Sequence, residues 1–132
     1  MKLKEITIGV RSLKDGLNEF GRVIKAIQRG HPPRARKPGI YFVDYNAMHQ
    51  VLTPRRMELL HLIRERNPGS IYELPHMADR NVKNVQDDVA LLERLGLIHV
   101  THQQTHRRRS VPHVDYDTLN LKVSFAHMSY AA

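Results

Sequence analysis

"SIYELPHMADRNVKNVQDDVALLERLGLI", from Ser70 to Ile98, sets a tight turn between a short helical run and a longer one. Ser70 and Glu73 have the spacing of a capping box, so a short helix, "IYELPHMA", should start there. Pro75 lies inside it. An interior proline removes a hydrogen bond and costs about 3 kcal/mol, so this helix is expected to be kinked or to begin late. Asp79-Arg80-Asn81 then makes a tight turn. A longer helix should run from Val82 to Leu95, with Val82, Val85, Val89 and Leu92 facing inward and Gly96 ending it. A step of 100° per residue puts Lys83, Asp87, Ala90 and Arg94 opposite that stripe, with Asn84 and Gln86 at its edges near the helix start. Asp88 falls at the core edge, where it is expected to cap or to pair.

Upstream, "TPRRMELLHLIRERNPGS" reads as another helix. Thr53 caps it and Pro54 takes the first position, where a missing N–H costs nothing. Met57, Leu59, Leu60 and Ile63 should face inward, and Asn67-Pro68-Gly69 should stop it. Downstream, "LIHV" reads as a strand, "THQQTHRRRS" as a hairpin loop and "VPHVDY" as the returning strand. Further out, "EITIGV" alternates with Ile6, Ile8 and Val10 on one face. Leu13, Leu17, Phe20, Ile24 and Ile27 then form a helical stripe, capped by Ser12 and ended by Gly30. "HPPRARKPG" is a linker by its prolines. Ile40 to Val43 reads as a buried strand, "DYNAMHQVL" as a short helix, and "TLNLKVSF" as a last strand with Leu119, Leu121, Val123 and Phe125 on one face.

Helix, helix, tight turn, longer helix and a hairpin with a basic tip is the order of a winged helix-turn-helix. The expected class is therefore α+β: an N-terminal strand–helix–strand extension over 1–52, a winged helix-turn-helix over 53–116, and a C-terminal strand and tail over 117–132. The helix 82–95 is narrow enough to enter the major groove, where base edges differ in donors and acceptors. Lys83, Asn84 and Gln86 are the expected base readers, since Asn and Gln pair well with adenine and Lys with guanine. Asp87 either pairs with Lys83 or accepts from cytosine. Arg55 and Arg56 open a helix, where N–H groups and charge can hold a phosphate, although Arg56 could equally pair with Glu58 or another nearby acid, and Arg80 in the turn is an expected phosphate clamp. The wing, 101–110, carries His106, Arg107, Arg108 and Arg109, which would neutralise backbone phosphates or enter the minor groove.

The chain has 132 residues, 21 Lys+Arg against 13 Asp+Glu, a net charge of +8 and a pI near 10.1. Such a balance suits a polyanion, nucleic acid before membrane. The excess is uneven. Residues 1–52 hold ten basic and four acidic side chains, net +6, and residues 53–118 hold ten and nine, net +1. Local clustering, not total charge, therefore points to the wing. There is no cysteine, which excludes disulfides and thiolate metal sites and fits a reducing cytoplasm, the expected location. The start shows no signal-peptide pattern, and no apolar run reaches the ~20 residues of a membrane span.

"VLTPRRMELLHLIRE", the Ser70–Ile98 stretch and the wing resemble a family of small prokaryotic transcriptional regulators with a MarR-like winged helix. The leading strand–helix–strand is also similar. The resemblance implies a homodimer that binds operator DNA, with some similar proteins acting as antitoxins beside a toxin. It places Arg80, Lys83, Asn84 and Gln86 in the reading turn and helix, and Arg107 to Arg109 on the wing.

The expected function is a sequence-specific DNA-binding regulator, a repressor that can act on its own promoter. Its partners would be double-stranded DNA and a second copy. The strands Ile6–Val10 and Leu119–Phe125 and the stripe Leu13–Ile27 offer more apolar surface than a ~70-residue winged helix needs, which suggests the dimer interface. One alternative is an antitoxin-type protein that holds a toxin. Another is a metal- or ligand-responsive sensor, because His99, His102, His106 and His113 cluster on the hairpin and imidazoles suit zinc or nickel. No catalytic set stands out: there is no phosphate-cradling glycine loop and no Gly-x-Ser-x-Gly. Asp87 and Asp88 diverge by 100° and do not easily share one ion. No cofactor is called for.

Overall fold

Capping chemistry sets most of the helix boundaries. A computed structural model describes residues 4–31, 39–104 and 108–125. Along them run β1 (Glu5–Val10), α1 (Leu13–Gln28), β2 (Gly39–Phe42), α2 (Tyr45–Val51), α3 (Pro54–Arg66), one 3-10 turn (Ile71–Glu73), α4 (Leu74–Ala78), α5 (Val82–Arg94), β3 (His99–Gln104), β4 (Arg108–His113) and β5 (Thr118–Lys122). The chain is thus of mixed α and β structure. It divides into two compact units: Glu5–Val51 with the segment from Thr118, and Lys4 with Leu52–Asp117. Among the described residues no helix is long and apolar enough to cross a membrane.

The first unit is built on a parallel sheet of order β2-β1-β5. The central strand β1 pairs with both neighbours, with Ile8 opposite Ile40 on one side and Leu121 on the other. Ile6, Ile8 and Val10 are buried, together with Met48 of α2. Gly9 is needed where it stands. A Cβ there would meet the Tyr41 ring at 3.1 Å and the Lys122 carbonyl at 3.3 Å. The Arg11 guanidinium lies 4.0 Å over the Tyr41 ring, which orders that side of the sheet. Two expectations change here. The run Ile40–Val43 is not a buried strand: it starts at Gly39, and Tyr41 and Val43 are exposed. β2 is an edge strand, and among the described residues its outward side chains are covered only in part, Tyr41 by Arg11. The last strand stops at Lys122, with Leu121 and Phe125 exposed.

The second unit holds three helices and a hairpin. Thr53 caps α3 by accepting from the Arg56 N–H, and Asn67 in the left-handed region ends it. Leu59, Leu60, Leu62 and Ile63 are buried, whereas Met57 is half-buried. The capping box at Ser70 forms with both arms moved by one residue. Ser70 accepts from the Tyr72 N–H, and the Glu73 carboxylate accepts from the N–H of Gly69 rather than of Ser70. Pro75 is accommodated by a change of helix. A 3-10 turn covers Ile71–Glu73 and the α-helix begins only at Leu74, so the proline falls in its first turn, where no N–H is required. Leu74, Val85, Val89, Leu92, Leu97 and Ile98 complete the core. Val82, expected inward, is 51 % exposed, because the first turn of α5 extends beyond the core. β3 starts at His99 and not Leu97, and the hairpin is longer than expected, with β3 running to Gln104 and β4 returning from Arg108.

The end of this unit is closed around Asp117. The Lys4 N–H donates to its carboxylate at 3.0 Å, its own N–H donates to the Lys4 carbonyl at 2.8 Å, and Arg64 donates both to Asp117 and to the Val114 carbonyl. The Lys4 N–H, then the Arg64 charge, hold the Asp117 carboxyl below its ordinary 3.8. A carboxylate depressed in the folded state stabilises at pH above its unfolded value and loses that contribution as pH falls through the folded one. Asp117→Asn should therefore flatten the acid arm of the stability curve below about pH 4. Far-UV circular dichroism during an acid titration would show it. An unchanged acid midpoint would mean that the contact contributes nothing in solution.

Candidate nucleic-acid interface

The turn between α4 and α5 is three residues long, and each has a separate task. Asp79 ends α4 with φ of +51°, and the Arg80 N–H reaches back to the Pro75 carbonyl at 3.0 Å. Aspartate tolerates this left-handed conformation better than most residues. Asn81 opens α5: its side-chain oxygen accepts from the N–H groups of Lys83 and Asn84 at 2.9 and 3.2 Å. Between them Arg80 is turned inward. Its Nη2 donates to Asp88 Oδ2 at 2.7 Å, and Arg56 Nε donates to Asp88 Oδ1 at 3.0 Å. The side chains of Arg80, Asp88 and Arg56 are only 9 %, 12 % and 23 % exposed.

This arrangement corrects one expectation and decides another. Arg80 does not stand out from the turn as a phosphate clamp, and Arg56 takes the second of its two readings, a pairing with a nearby acid, which is Asp88 and not Glu58. Both are held by Asp88, which fixes α5 against α3 and the turn. Among the described residues the Arg80 Nε and Nη1 are buried without a hydrogen-bond partner. Arg55 remains exposed at the start of α3.

The outward face of α5 has a different character. Lys83, Asn84, Gln86 and Asp87 are all exposed. Lys83 and Asp87 do not pair, although they stand one turn apart: among the described residues no ion pair joins them. Gln86 is turned toward the hairpin. With Val89, Ala90, Ile71, Tyr72 and His102 it lines a cleft of about 280 Å³ between α5, the 3-10 turn and the hairpin.

The arginine run is not one patch. β3 and β4 pair antiparallel, with Gln104 opposite Arg108, Gln103 opposite Arg109 and His102 opposite Ser110. Side chains alternate along a strand. Arg108 therefore shares the face of Ser110 and His102, which border the α5 cleft, and Arg109 takes the opposite face. There it lines a second hollow, of about 350 Å³, with Asn67, Gln103 and Pro112. His106 and Arg107 lie outside the described residues.

The hairpin histidines are divided among separate partners. His99 Nδ1 meets Asp115 at 3.0 Å, His113 Nε2 meets the Thr101 hydroxyl at 2.9 Å, and His102 Nδ1 meets Ser110 at 3.0 Å. The rings of His99 and His113 stack with centroids 4.9 Å apart. Among the described residues no three potential metal ligands converge.

The family model HVO_A0114 matches residues 51–121, more than half of the chain. The match takes in α3, α4, α5 and the hairpin. No curated protein and no solved structure matches the chain.

Proposed function

We propose that this chain, which belongs to the HVO_A0114 family, is a sequence-specific DNA-binding transcriptional regulator with a winged helix-turn-helix. It binds double-stranded DNA as a homodimer. One observation carries the proposal: an exposed polar face on α5, with Lys83, Asn84 and Gln86 near its start, stands in the same unit as a hairpin bearing exposed Arg108 and Arg109. A helix entering the major groove presents its first turns to base edges. Asn and Gln can bond adenine in a bidentate manner, and Lys83 can reach guanine or a phosphate. The splay of Arg108 and Arg109 suits a wing inserted along a groove, since a groove has a phosphate strand on each side and the hairpin has an arginine for each. Arg55 adds a backbone contact. A second copy would bring a second reading helix to a half-site about one DNA turn, ~34 Å, away.

Fluorescence anisotropy across a salt series tests the proposal. Wild type is measured against the DNA upstream of its own gene and a scrambled duplex, beside a variant with Arg107, Arg108 and Arg109 changed to Ala. Tighter binding to the upstream duplex is expected. Each lost phosphate contact should lower the steepness of log K against log salt by about 0.9, so up to about 2–3 for the variant. Equal, weak binding to both duplexes, with the same salt slope in the variant, would overturn it.

A further inference from the structure

The ends of the parallel strands and one face of α1 enclose a hollow of about 520 Å³. Because β1, β2 and β5 run in one direction, their carboxyl ends lie together, with Val10 opposite Phe42 and Gly9 opposite Lys122. The chain leaves β1 for β2 on one side, and β5 joins β1 on the other. In an open parallel sheet, ligands bind in the crevice outside the carboxyl ends of the strands, where the strand order reverses in this way. The volume falls within the ~300–1,000 Å³ of small-molecule sites. The lining residues all belong to the unit of Glu5–Val51 with the segment from Thr118.

Charge identifies the ligand. The lining holds three cations, Arg11, Arg22 and Lys122, and two carboxylates, Asp15 and Glu19. Both carboxylates are engaged within the chain, Glu19 with Arg22 at 4.0 Å. Among the described residues no three potential metal ligands converge, so the two acids do not make this a cation site. Arg11 and Lys122, by contrast, meet no carboxylate at ion-pair distance among the described residues. Two unpaired cations on one hollow repel each other, and an anion between them removes that repulsion.

Arg11 is positioned before any ligand arrives. Its backbone N–H donates to the Phe42 carbonyl at 2.8 Å, and its guanidinium lies 4.0 Å over the Tyr41 ring. A contact with a ring face occupies no N–H donor, so the planar fork can still grip an oxyanion through two of them. Order established in advance lowers the cost of binding. Lys122, fixed on β5 by its pairing with β1, supplies a point charge, and the Ser124 hydroxyl on the same lining can donate. The charge count selects the anion. A phosphate monoester carries about −1.5 to −2 at pH 7, which matches two unpaired cations, whereas a single carboxylate matches one. We propose that the carboxyl end of the parallel sheet binds the phosphate group of a small molecule, held between Arg11 and Lys122. The site lies outside α5 and the hairpin and does not depend on DNA binding. It also gives a role to a charge excess, net +6 over residues 1–52, that those elements do not contain.

The test follows the isotope-labelled full chain, without DNA, by heteronuclear NMR. Ribose 5-phosphate, AMP and inorganic phosphate are the probes, with ribose and acetate as controls. The amide signals of Gly9, Arg11 and Lys122 should move with the phosphate-bearing probes and stay still with the controls, while those of Lys83 and Arg108 stay still throughout. Tighter binding of the esters than of inorganic phosphate would identify an organic phosphate as the ligand, and equal affinities the free ion. Arg11→Gln and Lys122→Gln should each raise the dissociation constant about tenfold, since each removes a charge-assisted contact. Lys122 is exposed, so its variant should keep the wild-type circular dichroism spectrum whatever Arg11→Gln does to the Tyr41 contact. No shift with any probe at millimolar concentration, shifts centred on α5 or the hairpin, acetate binding as tightly as phosphate, or an affinity indifferent to both variants would overturn the proposal. Failure of the anisotropy experiment would leave these readouts untouched.

Discussion

Changing Lys83, Asn84 and Gln86 together to Ala is expected to weaken binding to a duplex selected by the wild-type protein by a hundredfold or more, at nearly unchanged thermal stability. A bidentate base contact is worth about 1–3 kcal/mol of discrimination, so the loss of two such contacts and a lysine accounts for that factor. Stability should hold because the three side chains are exposed and engage no partner among the described residues. Alanine also has the highest helix propensity. Binding to random DNA should fall much less, since only Lys83 carries charge, and the salt slope should drop by about 0.9 at most. The separation of the two effects is what distinguishes base readers from polar surface. Selection from a random duplex library supplies the ligand, and anisotropy with a thermal melt supplies both numbers. Selected and random duplexes that lose affinity by the same small factor would mean that α5 reads no bases.

What the sequence makes legible follows from the range of the interaction. Thr53, Asn81 and Gly96 act on N–H and C=O groups within a few residues, and each stands at the helix end that its chemistry requires. The exposure of Lys83 and Asp87 follows from helical period alone. Pairing is different. The partners Glu5 and Thr118 lie more than a hundred residues apart, and nothing local in "EITIGV" or "TLNLKVSF" states that they run parallel. Edge position is likewise non-local, so the apolar composition of Ile40–Val43 suggested burial that an edge strand does not provide.

The arginines show the same limit. In the sequence, Arg108 and Arg109 are neighbours in one basic run. Once Arg108 to His113 is a strand, the pleat sends them to opposite faces. Arg80 is the sharper case. In the sequence it is an arginine in a turn, and turns are exposed. The turn, however, is closed from both sides, by Asp79 and Asn81, and this leaves its middle residue directed at α5. A signal existed: Val85, Asp88 and Leu92 fall on one stripe at steps of three and four. An acid at a core position calls for a cation to bury it, and Arg56 and Arg80 supply two.

Asp88→Ala should accordingly be among the most damaging single substitutions in this unit. It would leave two guanidinium groups, one of them 91 % buried by the complement of its 9 % exposure, without their shared carboxylate. Removing one partner of a buried ion pair costs about 3–5 kcal/mol, and Arg56 is open enough to water to place the expected loss near 3. For a chain of this length that is a fall in Tm of roughly 10 °C. Asp88→Asn keeps acceptor geometry for one arginine and should fall between. The cost lies in stranded charge more than in lost attraction, so replacing all three residues with apolar side chains of similar volume should recover most of the stability. DNA binding separates structure from positioning. The triad joins α3, the turn and α5, so the apolar triple variant should melt near wild type. If it also binds the selected duplex normally, the triad serves folding alone. Weaker binding at equal stability would mean that Arg56, Asp88 and Arg80 hold the reading helix at the angle the groove requires. A melt of Asp88→Ala within about 2 °C of wild type would refute the buried triad itself.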